Sequence, residues 1–422
     1  MSARAVLHVG APKTGTTYLQ SVLWRNRERL REVGVLYPLQ HPDEHFAAAL
    51  DVREMSWGGR VDGPWLGAWR RLAGRVEAWD GSVLLSNELL GGVAPEQART
   101  IADALAGPTG RELHVVFTAR DFARQLPSDW QEHVKHRHDV PLAAFVDDLV
   151  ANGLQATKPF GELFWGLHDA ERVLANWSAV VPPDQLHLVV VPHAQGGPHE
   201  LWQRFATASG LAEMAPGVDL DLDVRPRNVS LGVVEAELLR RLNTHSRGSV
   251  PPRHYDDQVR KVLAETVLVS QQRAVPPSQR PTLPPEHHEW VAHRSRQLVD
   301  AVTAAGYDVV GDLDDLLPAE PADSLQPDRI GTDALFPVAL DALTGLLAHL
   351  GGLADDRVEE RRRHEAELAA VRAERDYWRD GGMAHRLVRF SDQHAWLLPA
   401  RRAYLGVRRL VRRAGSGADH HG

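Results

Sequence analysis

Four short apolar runs set among helical patterns constrain this chain more than any other feature. "AVLHVG" (5–10), "SVLLSNE" (82–88), "ELHVVFTAR" (112–120) and "QLHLVVVPH" (185–193) are too apolar to be strands with one face in water. Between and after them lie stretches that read as helices: "TTYLQSVLWRNRERLREVG" (16–34, ending at Gly34), "PEQARTIADALAG" (95–107), "DAERVLANWSAVV" (169–181) and "HELWQRFATASG" (199–210). The alternation predicts an α/β fold with a mostly parallel central sheet and helices on both faces. Such sheets bind ligands beyond the carboxyl ends of their strands. Three polar clusters fall there, at residues 10–17, 86–88 and 120–128.

With 422 residues, 43% of them hydrophobic, the chain exceeds one ordinary domain. A Pro-rich stretch at 270–290 and a linker-like one at 318–330 suggest a main domain over 1–315, a linker over 316–332 and a helical extension over 333–422. The extension opens with the Leu-rich "ALFPVALDALTGLLAHLGG" and continues as the charged "DDRVEERRRHEAELAAVRAERDYWRD". Val358, Leu368, Val371 and Trp378 give that helix a thin apolar seam, fitting a short coiled coil or a solvated helix. At the end, "ARRAYLGVRRLVRRAG" sets Arg401, Arg402, Arg408, Arg409, Arg412 and Arg413 opposite Tyr404, Val407, Leu410 and Val411. A basic amphipathic helix of this kind reads as an element for peripheral membrane contact or self-association, or as a helix packed on its own domain. No run approaches the length needed to span a bilayer, and the absence of cysteine excludes disulfides, thiolate metal sites and a Cys nucleophile. The expected location is the cytoplasm, peripheral at the inner membrane face. A net charge of −8 argues against a nucleic-acid partner.

The first run leads into "HVGAPKTGTTYLQ" (8–20), a strand-to-helix turn in which Gly10 and Gly15 bracket Lys13 and two threonines follow. Such a turn aims backbone N–H groups and the positive end of a helix at one point, which suits an anion. Only Lys13, Lys135, Lys158 and Lys261 are lysines among 48 basic residues, so a Lys in this turn is informative. A nucleotide-hydrolysing P-loop carries its Lys directly after the second glycine. Here Thr16 holds that position, and no apolar strand ends in an Asp suited to hold Mg²⁺.

The order Lys13-Thr14-Gly15-Thr16-Thr17-Tyr18 resembles the 5′-phosphosulfate loop of sulfotransferases that use 3′-phosphoadenosine 5′-phosphosulfate (PAPS). Their second element, an Arg at a strand end with a Ser eight residues on, resembles Arg120 and Ser128 here. The resemblance implies a sulfotransferase of P-loop-like fold that needs no metal. Gly10, Lys13, Thr14, Gly15, Thr16 and Thr17 would cradle the donor, Tyr18 would stack near adenine, and Arg120 with Ser128 would grip the 3′-phosphate. Lys13 would also neutralise the leaving oxygen. Pro127 fits only if Ser128 lies in the first turn of its helix, and Asp121 is a competing partner for Arg120. Where cytosolic members of the family carry a catalytic His, this chain has Glu88, in "SNELL"; His45 is a second candidate base and His168 a third. Arg225 and Arg227 lie in a late polar loop that is either a surface loop or, as the resemblance implies for a late basic loop, one that closes over the 3′-phosphate through Arg225 or Arg227; Trp165 and Asp169 could line the acceptor cleft or simply belong to the fold. The implied acceptor is a hydroxyl or amine of a glycan, a lipid-linked sugar or a small metabolite. A P-loop kinase or NTPase, or a non-catalytic nucleotide-binding scaffold acting through the C-terminal helices, are the alternatives.

Overall fold

A computed structural model describes residues 3–56, 63–107, 110–193, 197–224, 230–271, 280–321, 325–380 and 383–415. Its centre is a six-stranded sheet: β1 (Arg4–His8), β2 (Val35–Leu36), β3 (Ser82–Ser86), β4 (Glu112–Ala119), β5 (Leu186–Val190) and β6 (Asp308–Val310). The spatial order is β2-β3-β1-β4-β5-β6, and every pairing is parallel. The four apolar runs form the four inner strands. Each is buried along most of its length because helices cover the sheet.

The helices that position the site are α1 (Thr16–Arg25), α2 (Arg27–Glu32), α3 (Glu44–Val52), α4 (Ala68–Glu77), α5 (Pro95–Leu105), α6 (Phe122–Lys135), α7 (Leu142–Asn152), α8 (Phe160–His168), α9 (Ala170–Trp177) and α10 (Gly197–Ala208). The single helix expected over 16–34 is broken at Asn26, whose φ of −99° and ψ of 8° leave the helical range. The Asn26 side chain donates to the carbonyls of Val22 and Asp221, both at 2.9 Å, so a tertiary anchor overrides local periodicity. Trp130, Trp177, Phe117, Phe122, Phe145, Phe164 and Phe205 are fully buried and fill the space around the sheet. Each contributes on the order of 1.5–3 kcal/mol by leaving water.

The chain divides into two compact units, Met1–Leu346 and Leu347–Gly422. One continuous helix, Thr332–Asp380, starts in the first and continues in the second, so the Leu-rich and charged segments are not separate helices. Within the second unit, helices Met383–Asp392 and Leu398–Gly415 follow, with Asp392 and Arg401 paired. One expectation is corrected here. Within Thr332–Asp376 an 18-residue window reaches a mean hydropathy of 1.5, so this helix is long and apolar enough to cross a membrane by length and composition. Asp341 and His349 interrupt the run, which hides it from a reading for unbroken apolar sequence.

Candidate functional site

The chain leaves β1 toward β2 on one side and leaves β4 toward β5 on the other. A crevice therefore opens between the carboxyl ends of these two neighbouring strands. The loop after β1 fills it. Val9 N–H donates to Val116 O at 2.9 Å and Ala11 N–H to Thr118 O at 2.6 Å, stitching the loop to β4. Gly10, Lys13 and Gly15 all have positive φ, at 100°, 62° and 92°. For a lysine this left-handed backbone costs on the order of 1–3 kcal/mol and needs external support. That support comes from the two residues before it in the loop and the one after it. Thr14 Oγ1 donates to Ala11 O at 2.6 Å, and the Gln125 side-chain amide donates to Pro12 O at 2.6 Å. A Cβ at Gly15 would lie 2.4 Å from Leu201 Cδ2, and one at Gly10 would lie 3.1 Å from Glu88 Cα.

Thr118, near the end of β4, holds the loop from below. Its hydroxyl donates to Gly10 O at 2.9 Å, and it meets Thr14 Oγ1 at 2.6 Å and His8 Nε2 at 3.3 Å. His8 is fully buried, with Nδ1 2.8 Å from Ser86 Oγ; burial drives its pKa down to about 4 against the pull of Glu88. It is a neutral strut between three strands.

The Lys13 ammonium pairs with Glu132 on α6. Lys135 Nζ and His136 Nε2 lie 3.8 and 3.4 Å from the same carboxylate. Burial alone would raise the Glu132 pKa, but Lys13, His136 and Lys135 hold it well below the usual carboxylate range. Glu88 follows β3. Its two oxygens accept from the Thr16 hydroxyl and from Gln20 Nε2, the latter at 3.1 Å.

Asn87 fixes the state of His45. Its Oδ1 accepts from Leu89 N–H at 3.0 Å as the cap of the turn, so its amide group faces His45 Nδ1 at 2.9 Å. An amide N–H donates, so Nδ1 must accept and the His45 proton resides on Nε2. Burial lowers the His45 pKa, opposed by Glu88, the Ser86 carbonyl, Asp43 and the Pro42 carbonyl.

Across the crevice, Arg120 Nη2 donates to Arg124 O at 2.9 Å, and its buried Nε has no partner among the described residues. Burial lowers its pKa to about 10, with Asp121 opposing and Arg124 and Arg280 adding to the shift. Asp121 does not take Arg120. Its carboxylate caps α6 through Arg124 N–H at 2.9 Å and pairs with the Arg124 guanidinium. Ser128 is not in the first turn, because that cap starts α6 at Phe122; Ser128 is the seventh residue and Pro127 sits in the helix interior. Pro127 has no N–H for the Ala123 carbonyl one turn back. Tyr18 lies in the first turn of α1 with its buried hydroxyl unpaired among the described residues, and burial raises its pKa. Arg225 and Arg227 lie outside the described residues.

The sequence gives no sign of a buried chain behind the loop. Gln125 Nε2 also meets His168 Nδ1 at 2.5 Å, and His168 Nε2 lies 3.3 Å from Asp129 Oδ1. Burial would raise the Asp129 pKa, but His133 and His168 bring it down. His168 is 4% exposed and acts as a brace. Trp165 and Asp169 line a cleft with Trp290 and Arg294 in which Glu88 is not a lining residue. Among the described residues no group of three or more His, Asp or Glu side chains is placed to hold a metal ion.

No family model matches the chain, and no curated protein or solved structure matches it either.

Proposed function

We propose that the chain is a sulfotransferase that moves a sulfuryl group from PAPS to an acceptor hydroxyl. The observation that carries this reading is a juxtaposition. Lys13 to Tyr18 and Arg120, far apart in sequence, follow neighbouring strands on either side of one crevice, and Arg120 keeps a buried N–H without a partner among the described residues. A dianion in the crevice would satisfy that group through the forked geometry of the guanidinium. The donor of such a transfer carries an anion at each end, matching a loop N–H cradle on one side and an arginine on the other.

Glu88 accepts the proton of the acceptor hydroxyl, the freed oxygen forms a bond to sulfur, and the bond from sulfur to the 5′-phosphate oxygen breaks. The electron pair stays on that oxygen, beside the Lys13 ammonium. Products are a sulfate ester and adenosine 3′,5′-bisphosphate. His45 is the weaker base candidate, because its ring lone pair already accepts from Asn87. Each Glu88 oxygen has a second lone pair left after its bond to Thr16 or Gln20. One well-placed cation at the leaving oxygen is worth about 3–4 kcal/mol. ATP hydrolysis has less support: the residue after Gly15 is Thr16, and its hydroxyl is engaged by Glu88.

Calorimetry with adenosine 3′,5′-bisphosphate and with Mg²⁺-ATP tests the reading. The bisphosphate should bind at least about tenfold more tightly, a gap of ~1.4 kcal/mol, and equally well in EDTA. Tighter binding of Mg²⁺-ATP sinks the proposal.

A further inference from the structure

A cavity with a volume of ≈ 880 Å³ opens near the crevice, and its lining includes Gln20, a hydrogen-bond partner of Glu88. One wall is a flank of α1 carrying Thr17, Gln20 and Trp24, and the other carries Tyr37 and His45. Gln20 joins the cavity to the base, since its amide donates to Glu88 Oε2. Tyr37 is 3% exposed and lines the cavity. Burial, and then the Glu88 carboxylate, push its pKa up, so the O–H stays protonated and available to donate. His45, whose Nδ1 accepts from Asn87, also lines the cavity.

The lining also narrows the chemistry of an occupant. Among the described residues its cations and anions balance: Arg25 is bound to Asp221 at 2.5 Å, Arg27 sits 3.5 Å from Glu28 and over the Trp24 ring at 4.1 Å, and Asp43 and Asp223 supply negative charge. A strongly anionic or cationic ligand would meet like charge on some wall. An alkyl chain would offer the Tyr37 phenol no partner, and a buried polar group without one costs about 1–3 kcal/mol. A sugar ring offers closely spaced hydroxyls for phenol, imidazole and amide, and a C–H face for an indole.

We propose that this cavity is the acceptor site and that the acceptor is a neutral, hydroxyl-rich sugar, bound by the Tyr37 phenol, the His45 ring and the Trp24 indole. The proposal rests on the sulfotransferase reading, which makes Glu88 the base. Seen from the cavity, the reactive hydroxyl lies between Tyr37 and Glu88. Tyr37 donates to the acceptor oxygen, leaving that oxygen's own proton directed at the carboxylate.

Saturation-transfer NMR tests it, using maltotriose, cellotriose and mannotriose as neutral probes, a hyaluronan tetrasaccharide as the anionic one and 2-naphthol as the apolar one. Each is run with and without adenosine 3′,5′-bisphosphate, whose own affinity is followed by calorimetry. At least one neutral trisaccharide should take up saturation at its ring protons. Tyr37→Phe should weaken that binding about 2–10-fold, and Trp24→Ala should abolish the ring-proton signal, both without changing bisphosphate affinity. The proposal is overturned if no neutral trisaccharide is saturated, if the tetrasaccharide or naphthol is preferred, or if both variants bind the sugar like wild type. Loss of bisphosphate binding in wild type, with sugar binding intact and dependent on Trp24, would instead remove the donor assignment and leave the cavity assignment standing.

Discussion

Replacing Glu132 by Gln separates what holds the empty site together from what binds the donor. The carboxylate pairs with Lys13 and has Lys135 and His136 within 3.8 and 3.4 Å. At 3.8 Å a gross attraction of about 4 kcal/mol is expected for an effective dielectric near 20. Desolvation and the one-third exposure of the Glu132 side chain reduce the net loss to about 1.5–3 kcal/mol. Urea titration at pH 7 should therefore show Glu132→Gln about 2 kcal/mol less stable. The folded pKa of Glu132 is depressed, so its contribution is complete above the unfolded value of about 4.3 and is lost as pH falls through the folded value. The stability deficit of the variant should shrink correspondingly on the acid side. The effect on binding has the opposite sign. With Glu132 neutral, Lys13 no longer has to leave a carboxylate to meet a phosphate, so adenosine 3′,5′-bisphosphate should bind about 3–10-fold more tightly. Weaker binding in the variant, or stability equal to wild type at pH 7, would refute the idea that Glu132 and the donor compete for the same ammonium.

Other expectations follow from single contacts. Thr118→Val removes the hydroxyl shared by Gly10 O, Thr14 and His8, and should cost about 2–3 kcal/mol in thermal or chemical unfolding. Gly15→Ala forces a side chain into left-handed backbone against Leu201, and should lower stability by about 1–2 kcal/mol and weaken bisphosphate binding together. Glu88→Gln should slow sulfuryl transfer by about 10²–10⁴-fold with donor affinity changed only slightly, measured by single-turnover kinetics and calorimetry.

The inner sheet is legible in sequence because β1, β3, β4 and β5 are buried on both faces and read as unbroken apolar runs. The edge strands escape notice: Val35–Leu36 has two residues and Asp308–Val310 begins with a charge, too little for any periodicity. The segments after β1, β3 and β4 could be put at strand ends, since strand ends follow from the apolar runs. Their partners could not. Glu132 meets Lys13 across 119 residues, Gln125 reaches Pro12 across 113, and no spacing rule encodes such distances. Tyr37 escapes notice for the same reason: a tyrosine after a glycine turn carries no signal until Glu88 and His45 are placed next to it. The position of Ser128 misleads because Asp121 caps α6 earlier than Pro127 suggests.

The central claim is that a bisphosphorylated adenosine lies across the crevice with one phosphate in the loop and the other on Arg120. Phosphorus NMR of adenosine 3′,5′-bisphosphate titrated into the protein reads the two ends separately. In wild type both resonances should shift on binding. Arg120→Ala should cancel the 3′-phosphate shift and weaken binding about 10–100-fold, while the 5′-phosphate shift persists at saturation. A 3′-phosphate resonance that shifts equally in wild type and Arg120→Ala would contradict the account.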